Sequence, residues 1–231
     1  MAVSVDTVYQ RVLALANKEQ RGYITPQEFN LLANQAQMEI IDQYFYDINQ
    51  FGRMHGNDTE YSDMLNLIDE KLSVLKTVNL FTAVSGFISR GAISNIYKIG
   101  TVIDSTNNVE IEEVNENELL YINLSPLAQP TESRPVYTSR EDGLHIVPST
   151  VSAVNISYVK LPSNVSWGYV VDGLGNALYN SPVSSNFEIH KSEEVELVYK
   201  ILKLAGVTIQ RQEILSAGQG IEAGQVQQEK Q

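Results

Sequence analysis

TPQEFNLLANQAQMEIIDQYFYDIN, residues 25–49, is the stretch from which the fold is read. Thr25 is a good helix N-cap, Pro26 occupies the first helical position, where no N–H is needed, and Glu28 can return a hydrogen bond to the cap. Phe29, Leu32, Ala33, Ala36, Ile40 and Tyr44 follow at helical spacing, while Leu31, Met38, Ile41, Phe45 and Ile48 widen the apolar sector. A helix over residues 26–49 would be about 36 Å long. Its apolar sector is wider than one packing partner requires, which predicts more than one neighbour.

Before this helix, Asp6 is read as the cap of a short helix with Val8, Val12, Leu15 and Ala16 at helical spacing, ending near Asn17 in a charged turn over residues 18–22. After it comes a polar, glycine-bearing break over residues 52–57. Asp58 or Thr59 then caps a third helix with Tyr61, Met64, Leu65, Ile68, Leu72 and Leu75 facing inward. Its acids come early and Lys71 and Lys76 come late, the order the helix dipole favours.

From Val78 the period changes to two. β-branched and aromatic runs over residues 78–84, 87–88, 93–103 and 109–114 predict strands, with Asn107-Asn108 as a hairpin tip because Asn tolerates positive φ. Residues 115–124, NENELLYINL, read as a short capped helix, and residues 125–135 hold Pro126, Pro130 and Pro135, too many for a regular element. Strands resume over 136–138, 144–147 and 154–161, and mostly antiparallel pairing is expected. Residues 167–179 form a hairpin around Asp172-Gly173-Leu174-Gly175-Asn176, read as a projecting arm carrying Trp167, Tyr169 and Tyr179. Ser192 is read as the cap of a final helix, closed by Gly206, with Val195, Val198, Tyr199, Leu202 and Ala205 as its buried stripe. Residues 216–231, rich in Gly, Gln, Ala and Glu, read as an extended tail that a partner would order.

The expected class is α+β, with an N-terminal helical bundle, a largely antiparallel β region, and a C-terminal helix with its tail. Three segments are expected, 1–77, 78–190 and 191–231, forming one integrated domain. At 231 residues the chain can bury a substantial core without disulfides. With no cysteine at all, it excludes thiolate zinc sites, iron–sulfur clusters and cysteine nucleophiles. The first nine residues lack a basic region followed by an apolar run, and no stretch approaches 18 apolar residues, so neither a secretory leader nor a membrane span is expected.

The side chains show no catalytic pattern. His55, His145 and His190 are too far apart in sequence to share a helix face, and no GxSxG, GxxxxGK or GxGxxG motif occurs. The Asp172 loop resembles a calcium loop, but its twelfth position is Val183 and not an acid, so it is read as a turn. Carboxylate pairs such as Glu112/Glu113, Glu116/Glu118 and Glu193/Glu194 are what any acidic chain offers. No cofactor, metal or catalytic residue is expected. The net charge of −12, with basic residues dispersed singly, disfavours nucleic-acid binding, although an acidic lining would suit a conduit through which DNA slides without sticking.

Three segments carry a likeness to a known family: VDTVYQRVLALANKEQRGYITPQEFNLLANQAQMEIIDQYFYD at residues 5–47, SRPVYTSREDGLHIVPSTVSAVNISYVKLP at 133–162, and NFEIHKSEEVELVYKILKLAGVTIQRQEI at 186–214. Together they resemble the ring, or neck, proteins of the head-to-tail connector in crAss-like tailed bacteriophages. The resemblance implies a non-enzymatic virion subunit, assembled in the bacterial cytoplasm and forming a homo-oligomeric ring, a dodecamer, between the portal and the tail. Its implied partners are the portal, other connector and tail proteins, and passing genomic DNA, with no membrane. Tyr44, Phe45, Tyr46 and Phe51, dense near one helix end, are the candidate interface core. Trp167, Tyr169 and Tyr179 of the arm, and Ile221 and Val226 of the tail, are candidates for reaching an adjacent subunit. A rival reading is a carbohydrate-binding or carbohydrate-active β domain using Trp167 and nearby tyrosines as a sugar platform.

Overall fold

The structure, a computed structural model, describes residues 3–17, 24–53 and 59–208. It contains five α-helices, a seven-stranded sheet and a two-stranded hairpin, an α+β fold with helices at both ends of the chain. Two compact units emerge, one from Met1–Val74 with Pro162–Gln231 and the other from Leu75–Leu161. This partition differs from the three segments read in the sequence, because residues 162–190 belong with the helices and not with the β region.

The helical unit holds α1 (Val5–Asn17), α2 (Pro26–Arg53), α3 (Thr59–Leu72) and α5 (Glu194–Thr208). The capping box forms as expected: the Thr25 N–H donates to Glu28 Oε2 at 2.9 Å and the Glu28 N–H to Thr25 Oγ1 at 3.3 Å. Those bonds hold the Glu28 carboxyl below its usual range. Asp6 is not the cap of α1. Ser4 is, accepting from the Thr7 N–H, while Asp6 lies in the first turn and accepts from the Trp167 indole N–H at 3.0 Å. The α5 reading also shifts. Ser192 lies in a short 3₁₀ turn whose N-cap is His190, α5 starts at Glu194, and it runs through Gly206 to Thr208. Val198 and Ala205 are buried as expected and Leu202 packs against the core, while Leu197 and Ile201 are buried as well and Val195 is exposed.

One feature of α2 escaped its apolar pattern. Asn30, Asn34 and Gln37 form a polar row at helical spacing, and each bonds to backbone of the incoming segment after residue 162. Asn34 accepts from the Val165 N–H at 2.7 Å and donates to the Val165 carbonyl at 2.9 Å. Asn30 does the same for Trp167, at 2.7 and 3.4 Å. Gln37 donates to the Ser163 carbonyl at 3.2 Å and accepts from the Glu188 N–H at 3.0 Å. The geometry works because four helical residues rise about 6 Å and two extended residues span about 6.6 Å. Alternate residues of the segment therefore meet successive helical turns, running in opposite directions. Leu31, counted in the widened apolar sector, is instead exposed.

The β unit contains β1 (Lys76–Thr82), β2 (Phe87–Ser89), β3 (Ile96–Asp104), β4 (Glu110–Glu113), α4 (Glu116–Leu124), β5 (Val136–Ser139), β6 (Gly143–Val147) and β7 (Ala153–Lys160). Strand order is β1-β7-β3-β4-β5-β6-β2, antiparallel except for the β4–β5 pair, which α4 bridges. Asn108, with φ of 58°, turns β3 into β4 as expected. The edge strands β1 and β2 are joined by only residues 83–86. A flat sheet would hold them about 29 Å apart, six spacings of about 4.8 Å, whereas five residue steps reach at most about 18 Å. The sheet must therefore curl, and Val84 and Phe87 exchange both backbone hydrogen bonds, at 2.9 and 3.0 Å, where the edges approach. Inside the curl lie Ile88, Val102, Ile111, Tyr137, Leu144, Ile146, Val154, Ile156 and Tyr158. Gly143, with φ of 152°, begins β6, where a Cβ would meet the Ile88 carbonyl oxygen, so no other residue fits there without moving β2.

The polar row makes a specific prediction. Asn34→Ala removes both partners of the buried Val165 backbone and is expected to cost about 2 to 4 kcal/mol. Asn34→Asp keeps the acceptor and should cost less. Urea unfolding of the three proteins, followed by circular dichroism, measures both differences.

Candidate functional site

The residues singled out in the sequence fall in different environments. In α2, Tyr44 is buried, Phe45 packs half-buried against the helical core, and Tyr46 is 63 % exposed. Phe51 is within α2, but its side chain, like Ile221 and Val226, lies outside the described residues. The dense cluster is thus split by helical periodicity, with Tyr44 serving the fold and Tyr46 facing solvent.

Trp167 is not part of a projecting surface. It is 3 % exposed, at the centre of an aromatic cluster with ring centroids 4.4 Å from Tyr9, 5.9 Å from Tyr169 and 5.7 Å from Tyr179. The strands of the hairpin are β8 (Tyr169–Val171) and β9 (Ala177–Tyr179), paired Tyr169 to Tyr179 and Val170 to Leu178. The tyrosine face turns toward Trp167 and anchors the hairpin. The opposite face presents Val170 and Leu178, and Leu174 stands out from the turn. Asp172 organises that turn by accepting from the Leu174 and Asn176 N–H groups, both at 2.9 Å, which lowers its pKa. The sequence reading located this hairpin but named its anchoring side chains as the surface.

Several charged groups are held in pairs. Lys71 meets Glu193 at 2.8 Å and lies over the Tyr44 ring, 5.7 Å from its centroid. Burial pushes the Glu193 carboxyl up, but hydrogen bonds from Lys71 and Ser192 and the Lys71 charge outweigh it and hold the group below its ordinary value. Arg11 pairs with Glu194 at 2.8 Å. Arg140 donates to both Glu116 carboxylate oxygens through Nε and Nη2, and His145 Nε2 lies 2.9 Å from Asp142. Glu113 accepts from Tyr137, whose hydroxyl pKa is driven up chiefly by burial. Glu113, Glu193 and Glu194 are therefore each held by a different partner. Among the described residues no group of three or more His, Asp or Glu side chains gathers as a metal site would.

Two concave regions among the described residues are large enough to note. An open cleft of about 630 Å³ in the β unit is lined by Arg90, Ser94, Tyr97, Lys98, Glu113 and Ser139, together with Ile93, Ile96 and Ile99. A mostly apolar groove of about 350 Å³ in the helical unit runs between α1 and α5 past Leu15, Val195 and Tyr199.

The more unusual feature is convex. In α4, Leu119 is buried and Ile122 half-buried, over Val114, Val136 and Val147. Other apolar residues of that short helix point outward. Leu120, Tyr121, Leu124 and then Leu127, which is 98 % exposed, follow at positions i, i+1, i+4 and i+7. On β1, Val78 and Leu80 are each 63 % exposed, and Val84 extends the row. Monomeric proteins seldom leave such large apolar side chains side by side in water, and contiguous groups of them mark contact surfaces. The signal was present in NENELLYINL, whose Leu119, Leu120, Tyr121, Ile122 and Leu124 spread round more of the helix than one packing face can bury.

No protein-family model matches the chain, and no similar curated protein was found. No helix among the described residues is long and apolar enough to cross a membrane.

The Lys71–Glu193 pair yields a pH-dependent prediction. A depressed carboxyl pKa contributes stability above the unfolded value, near 4.3, and that contribution is lost as pH falls through the folded value. Lys71→Met strands a buried carboxylate and is expected to cost about 3 kcal/mol at neutral pH. The stranded group's pKa then rises above the unfolded value, so the deficit should narrow as pH falls through the carboxylate range. Denaturation midpoints of both proteins between pH 7 and pH 4 measure the trend.

Proposed function

We propose that this chain is a structural subunit of a tailed-phage head-to-tail connector, a ring protein acting between portal and tail and not an enzyme. The observation that carries the reading is the outward apolar face of α4 with Leu127, which costs solubility in a free monomer and is useful to a chain that lives against neighbours. The resemblance of residues 5–47, 133–162 and 186–214 to neck proteins points the same way. An acidic chain with net charge −12 also suits a conduit wall over which DNA moves without adhering. The carbohydrate reading loses its principal support, because sugar stacking needs an exposed aromatic platform and Trp167 is enclosed by Tyr9, Tyr169 and Tyr179.

In this reading the chain is a virion protein that associates with itself, with a dodecameric ring matched to the portal as the implied form. Native mass spectrometry of the purified chain, alone and with portal, is expected to give one closed oligomer. Antibody labelling of purified particles should mark a single vertex. A chain absent from particles, or one that cleaves a glycan unaided, overturns the proposal.

A further inference from the structure

The inner rows of the curled sheet change from apolar to polar at one end. Every second residue of a strand shares a face. Ile88, Ile111 and Tyr137 fill the curl, and the residues two positions after them are Arg90, Glu113 and Ser139. These three positions lie at the same end of the sheet, because β4 and β5 run parallel and β6 runs against both β5 and β2. All three line the open cleft of about 630 Å³.

The floor of this cleft is apolar because β3 carries an extra residue there. Ile96 opposes Lys160 and Lys98 opposes Val159, so two steps on β3 match one on β7 and Tyr97 is the residue bulged out. Ile96 and Ile99, three positions apart, then both pack against the cluster inside the curl, which also holds the buried Ile93.

We infer that this cleft is a binding site for a small organic acid, a molecule with one carboxylate, an apolar body and an N–H donor beside them. Charge decides the class. Lys98 and Tyr97 in the lining have interactions of their own, so the argument rests on neither. Glu113 accepts from the buried Tyr137 while itself remaining exposed. Arg90 differs from both. Its backbone N–H is fixed by the Asp142 carbonyl at 2.7 Å, whereas among the described residues no hydrogen bond or ion pair holds its guanidinium. In a chain with 28 acidic residues against 16 basic ones, an arginine at a cleft with no acid upon it is available to an anion from outside.

The planar guanidinium matches a carboxylate through two parallel hydrogen bonds. A singly charged group suits the cleft better than a phosphate, because Glu113 in the same lining repels added negative charge. The remaining lone pairs of Glu113 suit an N–H of the ligand instead. Ile93, Ile96 and Ile99 receive the apolar body. The volume lies in the range of small-molecule sites, and the mouth of a curled sheet is one of their usual places. The site is built within one chain and stands apart from the ring-subunit reading.

N-acetyl-leucine carries all three features and is the probe. Isothermal titration of the full chain is expected to show one site per chain. N-acetyl-leucinamide, with the same body and no charge, should bind more weakly by about tenfold or more. Arg90→Gln should lose a similar factor for the acid and none for the amide. Ser139→Trp, at an exposed position, should abolish binding by filling the cleft, with circular dichroism confirming the fold. Arg134→Gln changes an arginine outside the cleft and should leave the affinity as it was. Absence of binding, equal binding of acid and amide, or an Arg90→Gln protein that binds like the unchanged chain each overturn the inference. An equal loss in Arg134→Gln also overturns it, since the attraction would then belong to overall charge and not to this site.

Discussion

The row of side-chain amides on α2 is the constraint on which the helical unit depends. A helix normally cannot pair with an extended segment through its backbone, because its own N–H and C=O groups are already bonded to each other. Asn30, Asn34 and Gln37 supply the missing donors and acceptors, and alternate residues of the segment over 163–167 receive them. The pairing sets the segment's register, and the register decides what enters the core. With Val165 and Trp167 bonded in place, both side chains are buried in the helical core, where Trp167 reaches Tyr9 and donates to Asp6. The tyrosines of β8 and β9 then close over the indole. A slip by one residue would turn those side chains outward and leave buried amides without partners, a cost paid twice.

The β unit is governed by a different constraint, the short link between its edge strands. Curling the sheet buries its inner face and leaves an outer face that something must cover or solvate. α4 covers part of it with one face and leaves its other face apolar. That arrangement is costly for an isolated molecule. The hairpin of the helical unit follows the same division of labour, with tyrosines on its anchored face and Val170, Leu174 and Leu178 on its free one.

Features decided by neighbouring residues were legible in the sequence. The Thr25–Glu28 box, the turn at Asn108, the Asp172 turn and the change of period near Val78 depend on bonds made within a few positions, and each forms where its residue types place it. Features decided by distant partners were not legible. Asn30, Asn34 and Gln37 look like the solvated side of an amphipathic helix until the segment that bonds them arrives. Trp167 looked like a surface aromatic because a hairpin pattern does not say which face is anchored. Val195 stands exposed although the stripe expected for α5 included it, and Leu197 and Ile201, outside that stripe, are fully buried. Residues 115–124 were legible as a short helix, but which of its leucines stay outside follows from the valines of β5 and β6 beneath it.

The chain enters the β unit at Leu75 and leaves it at Leu161, and the Lys160 N–H bonds back to the Leu75 carbonyl at 2.9 Å, so both ends of this excursion lie together. The polypeptide on either side of it is one interrupted body: Asn34 waits for Val165, 131 positions later. On a translating ribosome that interval lasts on the order of ten seconds. During it the nascent inserted module emerges whole and can close on itself, while the earlier helices stand unfinished. Synthesis therefore imposes a schedule in which the middle of the gene product matures before its beginning, and the interval is one in which α2, with its partner not yet made, is open to a chaperone.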